Sequence, residues 1–131
     1  MLERVRAIAV DQSFARHLGI ELVRAETDRA TLRLPYREFL GEDRVNGGAI
    51  SALVDLAATC AFWAHPGVGA NARGATIGFS INYLELVVAA DLEASARVRR
   101  RGGSICVGDV SVTDKGGREV AIAQVTYKLN P

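Results

Sequence analysis

Cysteine is scarce here: 131 residues hold two thiols, Cys60 and Cys106. Neither has a partner at metal-ligand spacing, so a metal site is not expected. Two thiols in apolar runs fit a reduced, cytoplasmic compartment. A chain of this length has enough core to do without a disulfide. An excess of charge of one sign is also missing. Sixteen basic and fifteen acidic residues leave a net charge of +1, which gives no bulk attraction to nucleic acid or to an anionic membrane. Low-complexity tracts, linkers and internal repeats are absent, as is a glycine-rich dinucleotide fingerprint after a strand. Charges at Glu3, Arg4, Arg6 and Asp11 interrupt the opening stretch, so no targeting segment is expected.

What is present describes a globular chain. Hydrophobic residues make up 49% and charged residues 24%, a balance that favours a single folded domain over residues 1–131. One run, "VNGGAISALVDLAATCAFWA" over 45–64, has the length of a membrane span. It carries Asp55 at its centre, where a lone span would have no partner for a carboxylate. A covered helix over 46–64 is the better reading, and no membrane association is expected.

The flanks read as alternating strands. Leu2, Val5, Ile8 and Ala9 sit at helical spacing and predict an N-terminal helix within 1–17, before Gly19. Strands follow near 20–26 and 29–34; then "PYREFLGEDRV" is a polar loop. After the long helix, "HPGVGANARG" is a turn-rich break. In "ATIGFSINYL", Ile77, Phe79, Ile81 and Tyr83 alternate with Thr76, Gly78, Ser80 and Asn82. "RGGS" and "DKGG" join strands near 91–100, 104–113 and 118–129. A helix apolar nearly all round must be covered on most sides. A curved antiparallel sheet around it does this, which makes the class α+β.

That order, with "VNGGAISALVD" leading into the central helix, resembles the hotdog fold. Within it, the chain is similar to phenylacetate-degradation-type acyl-CoA thioesterases. Their signature is His-Gly-Gly, then small and apolar residues, then an acid. Asn46, Gly47, Gly48 and Asp55 match that spacing, and "INYLELV" matches the family's Asn-Tyr strand segment, which marks Asn82 as a substrate contact. The resemblance covers roughly residues 18–129.

Thioester hydrolysis needs a donor for the developing oxyanion and a base or nucleophile at the carbonyl carbon. Gly47 and Gly48 open a helix, where backbone N–H groups lack partners and the dipole is positive. Tight packing is the plainer explanation of the two glycines, and the acid at family spacing favours the oxyanion role. Asp55 is the expected base or nucleophile. Ser51 and Thr59, one turn either side, share its face and would line the site or simply satisfy a buried carboxylate. Thr76 falls where relatives place a small hydroxyl residue. Gly47 and Asp55 stand eight residues apart, about 12 Å along a helix axis. One thioester does not easily touch both within a chain. A two-fold homodimer would set Gly47 of one chain beside Asp55 of the other, and the resemblance implies the same arrangement; a dimer of dimers is expected, with the sequence leaving dimer and tetramer both open.

Two positions depart from the family. Asn46 replaces the usual histidine and cannot shuttle a proton near neutral pH. Leu40 stands where many relatives carry an asparagine that orients water. "RVRRRGGS" could hold the phosphates of coenzyme A, with Arg100, Arg101 and Ser104 as the contacts, or could be a solvated hairpin edge. His17 and His65 read as structural or surface residues, Phe62 and Trp63 as core or dimer packing. The expected function is hydrolysis of an acyl- or aryl-CoA, with coenzyme A as part of the substrate and no other cofactor. A hotdog hydratase or dehydratase, or a non-catalytic acyl-CoA-binding protein, stays open.

Overall fold

The computed structural model describes residues 1–130. Its spine is helix α3, Gly47–Trp63, which starts because Asn46 caps it: the Asn46 side chain accepts from the Gly48 N–H. The buried side of α3 presents Ile50, Leu53, Val54, Ala57, Ala58 and Phe62 to the sheet. Six strands, β1 Glu21–Glu26, β2 Arg29–Leu34, β3 Arg73–Tyr83, β4 Leu92–Arg101, β5 Ile105–Thr113 and β6 Glu119–Asn130, follow the expected positions within about two residues. They form one antiparallel sheet in the order β1-β2-β4-β5-β6-β3. Leu32, Leu34, Leu92, Ala94, Val112 and Val125 pack the core beneath the helix, each at most 1% exposed. The curved sheet around a central helix is the architecture expected of a hotdog fold.

The N-terminal helix departs from expectation. A continuous helix was predicted within 1–17; the chain instead forms α1, Leu2–Val5, a π-helical turn over Arg6–Val10, and α2, Ser13–Leu18. The break falls at Gln12, whose ψ of 149° is extended. Its side-chain amide donates to the Ala7 carbonyl at 2.7 Å, occupying a carbonyl near the break. Gly19, at φ 79°, ends α2 in the left-handed region. A short 3-10 turn, Glu38–Leu40, interrupts the polar loop before α3. No helix among the described residues is long and apolar enough to cross a membrane.

β3 also corrects the sequence reading. The alternation placed Thr76 on the face opposite Phe79, Ile81 and Tyr83. In the ladder, Thr76 pairs with Tyr127 but Gly78 with Thr126, so Ile77 is an extra residue on β3. A bulge of one residue inverts the alternation on one side of it. Thr76 therefore shares the helix-facing side with Phe79, Ile81 and Tyr83, opposite Val125, Ala123 and Ala121.

Candidate active site

Asp55 sits half-buried in the third turn of α3, on the flank nearest β3. The Thr76 hydroxyl donates to Asp55 Oδ1 at 2.6 Å, a contact the β3 bulge makes possible. Oδ2 has no hydrogen-bond partner among the described residues, which leaves it open to a water or an electrophilic carbon. Among the described residues no cation pairs with Asp55, and the ion pairs lie elsewhere.

The start of α3 supplies the complementary group. The Gly48 N–H goes to Asn46 Oδ1 at 2.7 Å, and those of Ala49 and Ile50 reach the Asn46 carbonyl at 3.0 and 3.2 Å. Of the first four helical N–H groups, only that of Gly47 has no partner among the described residues. Tyr83 closes over this turn. Its hydroxyl donates to the Gly47 carbonyl at 2.8 Å and lies 2.6 Å from Ser51 Oγ. A Cβ on Gly47 would stand 3.2 Å from the Tyr83 ring, so glycine there permits close approach as well as a free N–H. Sequence reading had joined Ser51, Asp55 and Thr59 in one stripe. The structure gives each a different neighbour: Ser51 goes to Tyr83, Asp55 to Thr76, and Thr59 to the Tyr127 hydroxyl.

Tyr127, on β6, is a neighbour the sequence reading missed. It receives the Trp63 indole N–H at 2.8 Å, and its ring stacks on Phe62 with centroids 4.9 Å apart. Burial pushes its phenol up; hydrogen bonds from Trp63 and Thr59 oppose this, and the Asp55 charge adds to the rise. Phe62 and Trp63 are thus core residues. Tyr127 could have been suspected only from strand pairing, since it lies more than 50 residues from Asp55 and Thr76.

Other expected residues lie away from Asp55. Asn82 pairs with Ile122 on the outer face of the sheet. There it lines a concavity of about 620 Å³ with Ser80, Ser95, Arg97, Asp109 and Gln124. Arg101 is bound to Asp28, at 2.8 and 3.2 Å; Arg100 is exposed and Ser104 half-buried at the same hairpin. Leu40 is buried, 3% exposed. His17 packs against Phe39, and His65 Nδ1 accepts the Gly67 N–H. Among the described residues, no three His, Cys, Asp or Glu side chains converge as a metal site. Both cysteines are unpaired and buried.

A profile of the thioesterase superfamily matches residues 43–121, which hold both Gly47 and Asp55. The chain belongs to that superfamily and has its hotdog fold. A protein of Halobacterium salinarum that bears an esterase name is 29% identical, over 95% of this chain and 89% of its own. The crystal structure of a thioesterase family protein from Silicibacter pomeroyi superposes with a TM-score of 0.90 at 21% identity, covering 98% of this chain and 96% of its own. The PaaI protein of the Escherichia coli phenylacetic acid degradation operon gives 0.85 at 20% identity, over 97% and 91%. At those identities the two structures speak for the fold alone.

Proposed function

We propose that the protein is an acyl-CoA thioesterase of the phenylacetate-degradation type, acting as a homodimer. The observation that carries this reading is Asp55: a half-buried carboxylate held at one oxygen by Thr76, with the other oxygen open. The thioester carbonyl is held by the Gly47 N–H of one protomer, where the helix dipole favours the oxyanion. Asp55 of the other protomer either takes the proton of an attacking water or attacks the carbon itself. Water ends in the carboxylic acid, and the thiolate of coenzyme A leaves and is protonated. Arg100, exposed at the β4–β5 hairpin, is free to meet the coenzyme phosphates; Arg101 is already neutralised by Asp28.

The dimer is supported by the sheet edge. β3 is an 11-residue outer strand, with Ile77 58%, Phe79 37% and Tyr83 48% exposed. A long apolar edge is a template for another strand, and Thr76 on this strand binds Asp55. Two-fold pairing there brings the partner's α3 toward Asp55.

A second reading, an acyl-CoA-binding protein without turnover, is favoured by two residues. Leu40 cannot orient a water, and the Asn46 side-chain oxygen is committed to capping α3. A hydratase or dehydratase would need a proton shuttle, and neither histidine is among the partners of Asp55. Thiol release from short, medium, long and aromatic acyl-CoAs separates these readings. Turnover that drops in Asp55→Asn supports hydrolysis; coenzyme A binding without thiol release supports the binding protein.

A further inference from the structure

The sheet has a second face, turned away from α3 and Asp55, and the strand register sets its side chains in rows. One row runs Arg29, Arg97, Asp109, Gln124 and Ser80 across β2, β4, β5, β6 and β3. The concavity of about 620 Å³ lies over this row and the next, and a hollow of about 130 Å³ adjoins it over β1, β2 and β4. Arg29 and Ser95 line both, so the two form one trough.

Three arginines crowd one end of it. Arg29 and Arg97 stand directly opposite each other in the β2–β4 ladder, where like charges destabilise a sheet. Arg24 joins them through a bulge. Leu22 pairs with Leu32 but Arg24 with Thr31, so Val23 is an extra residue on β1. Leu22 and Ala25 pack on the core, which leaves Arg24 on the outer face. None of the three arginines is in an ion pair among the described residues. Asp109, opposite Arg97, is held by Arg99 at 2.7 Å instead. Glu26, opposite Arg29, makes no ion pair with it. Beside the arginines are Ser95 and Thr31, and Thr31 is the one buried polar residue among those described, 5% exposed.

We infer that this trough binds an organic phosphate with an uncharged, nucleoside-sized body. The phosphate meets Arg24, Arg29 and Arg97, whose planar forks suit its oxygens, with Thr31 and Ser95 as hydroxyl donors. An anion there relieves the repulsion between the facing arginines. Over β5, β6 and β3 the trough offers the half-exposed Ile122 as a platform, and the Gln124 and Asn82 amides as donors and acceptors. Asp109 and Glu119 lie along this part, so a second anionic group on the body is disfavoured. The volume is that of a small-molecule site. Because the trough lies across the sheet from Asp55, it stands independently of the thioesterase reading.

The test is calorimetry with AMP and with inorganic phosphate at low ionic strength. The native protein should bind one AMP per chain, more tightly than it binds phosphate. Replacing both arginines, Arg29→Gln with Arg97→Gln, should weaken AMP at least about tenfold, the size of one lost charge-assisted hydrogen bond or more. The melting temperature should stay at or above the native value, since the facing charges are gone. Arg29→Lys with Arg97→Lys keeps charge without the forks and should recover part of the affinity. Arg100→Gln, at the hairpin, should leave AMP binding unchanged. No AMP binding to the native protein would overturn the inference, as would equal affinity for AMP and phosphate. So would AMP binding that survives the double glutamine variant but falls in Arg100→Gln, which would put the anion at the hairpin. A double variant that changes sedimentation while the native protein binds no anion would overturn it too, and make this face a contact between copies of the chain.

Discussion

At the scale of single residues, the account turns on how Asp55 is held. Thr76 fixes Oδ1, and the hydroxyls of Ser51 and Thr59, which could have competed, have other neighbours. Asp55→Asn keeps the shape and removes the proposed base or nucleophile, so thiol release should fall at least about a hundredfold. Thr76→Val removes a hydrogen bond to a charged group, worth about 1.5–3 kcal/mol of stability, so the melting temperature should fall by several degrees, and kcat should fall as well because Asp55 loses the group that orients it. If the melting temperature falls and kcat does not, Thr76 is a structural residue only. Cys60 gives an independent check on the core. Burial pushes its thiol up to about 12, whereas an ordinary thiol ionises near about 8.5. Alkylating reagents at mildly alkaline pH should leave Cys60 unmodified until the chain unfolds, as mass spectrometry would show. Between those two values the unfolded chain gains thiolate that the folded chain does not, so the stability Cys60 contributes declines as pH rises through that window.

At the scale of elements, Asn46 takes on fold work: it caps α3. Asn46→Ala should cost about 1 kcal/mol of stability, read as a lower denaturant midpoint. It would also free the Gly48 N–H, so a gain in turnover would show that the cap competes with oxyanion binding. α3 and the strands were legible because alternation, apolar runs and glycine turns each mark a different period. The break at Gln12 was not legible, since apolar spacing runs through it and only backbone geometry shows the extended residue. The bulge at Ile77 was hidden because the extra residue is itself apolar and falls in step with Phe79, Ile81 and Tyr83, so the sequence shows no break there. The pairing of Asp55 with Thr76 was within reach of the family resemblance, but the bulge that permits it was not. Tyr127 escaped because nothing local marks a strand tyrosine as the neighbour of a distant helix.

At the scale of the whole molecule, the arrangement explains why the helix is not covered all round. Ser51, Ala52, Asp55, Leu56 and Thr59 remain half-exposed along one flank of α3, and the loop that follows β3 leaves Leu84, Leu86 and Val88 47%, 61% and 61% exposed. The proposed two-fold partner would meet both features. Phe79→Lys on β3 should give monomers in sedimentation velocity and lose turnover together with the dimer.

The most direct measurement mixes two inactive variants. Gly47→Pro removes the proposed oxyanion donor: proline is tolerated at the first helical position and Asn46 already has extended backbone, while the Tyr83 ring, 3.2 Å from the added Cβ, must give by a few tenths of an ångström. Asp55→Asn removes the carboxylate. If each site takes its N–H from one protomer and its carboxylate from the other, a mixed dimer contains one intact site. Unfolding and refolding the two variants together should then restore thiol release to about a quarter of the native level, from the random pairing of protomers. Thiol release no greater than the sum of the separate variants would contradict a site shared across the dimer.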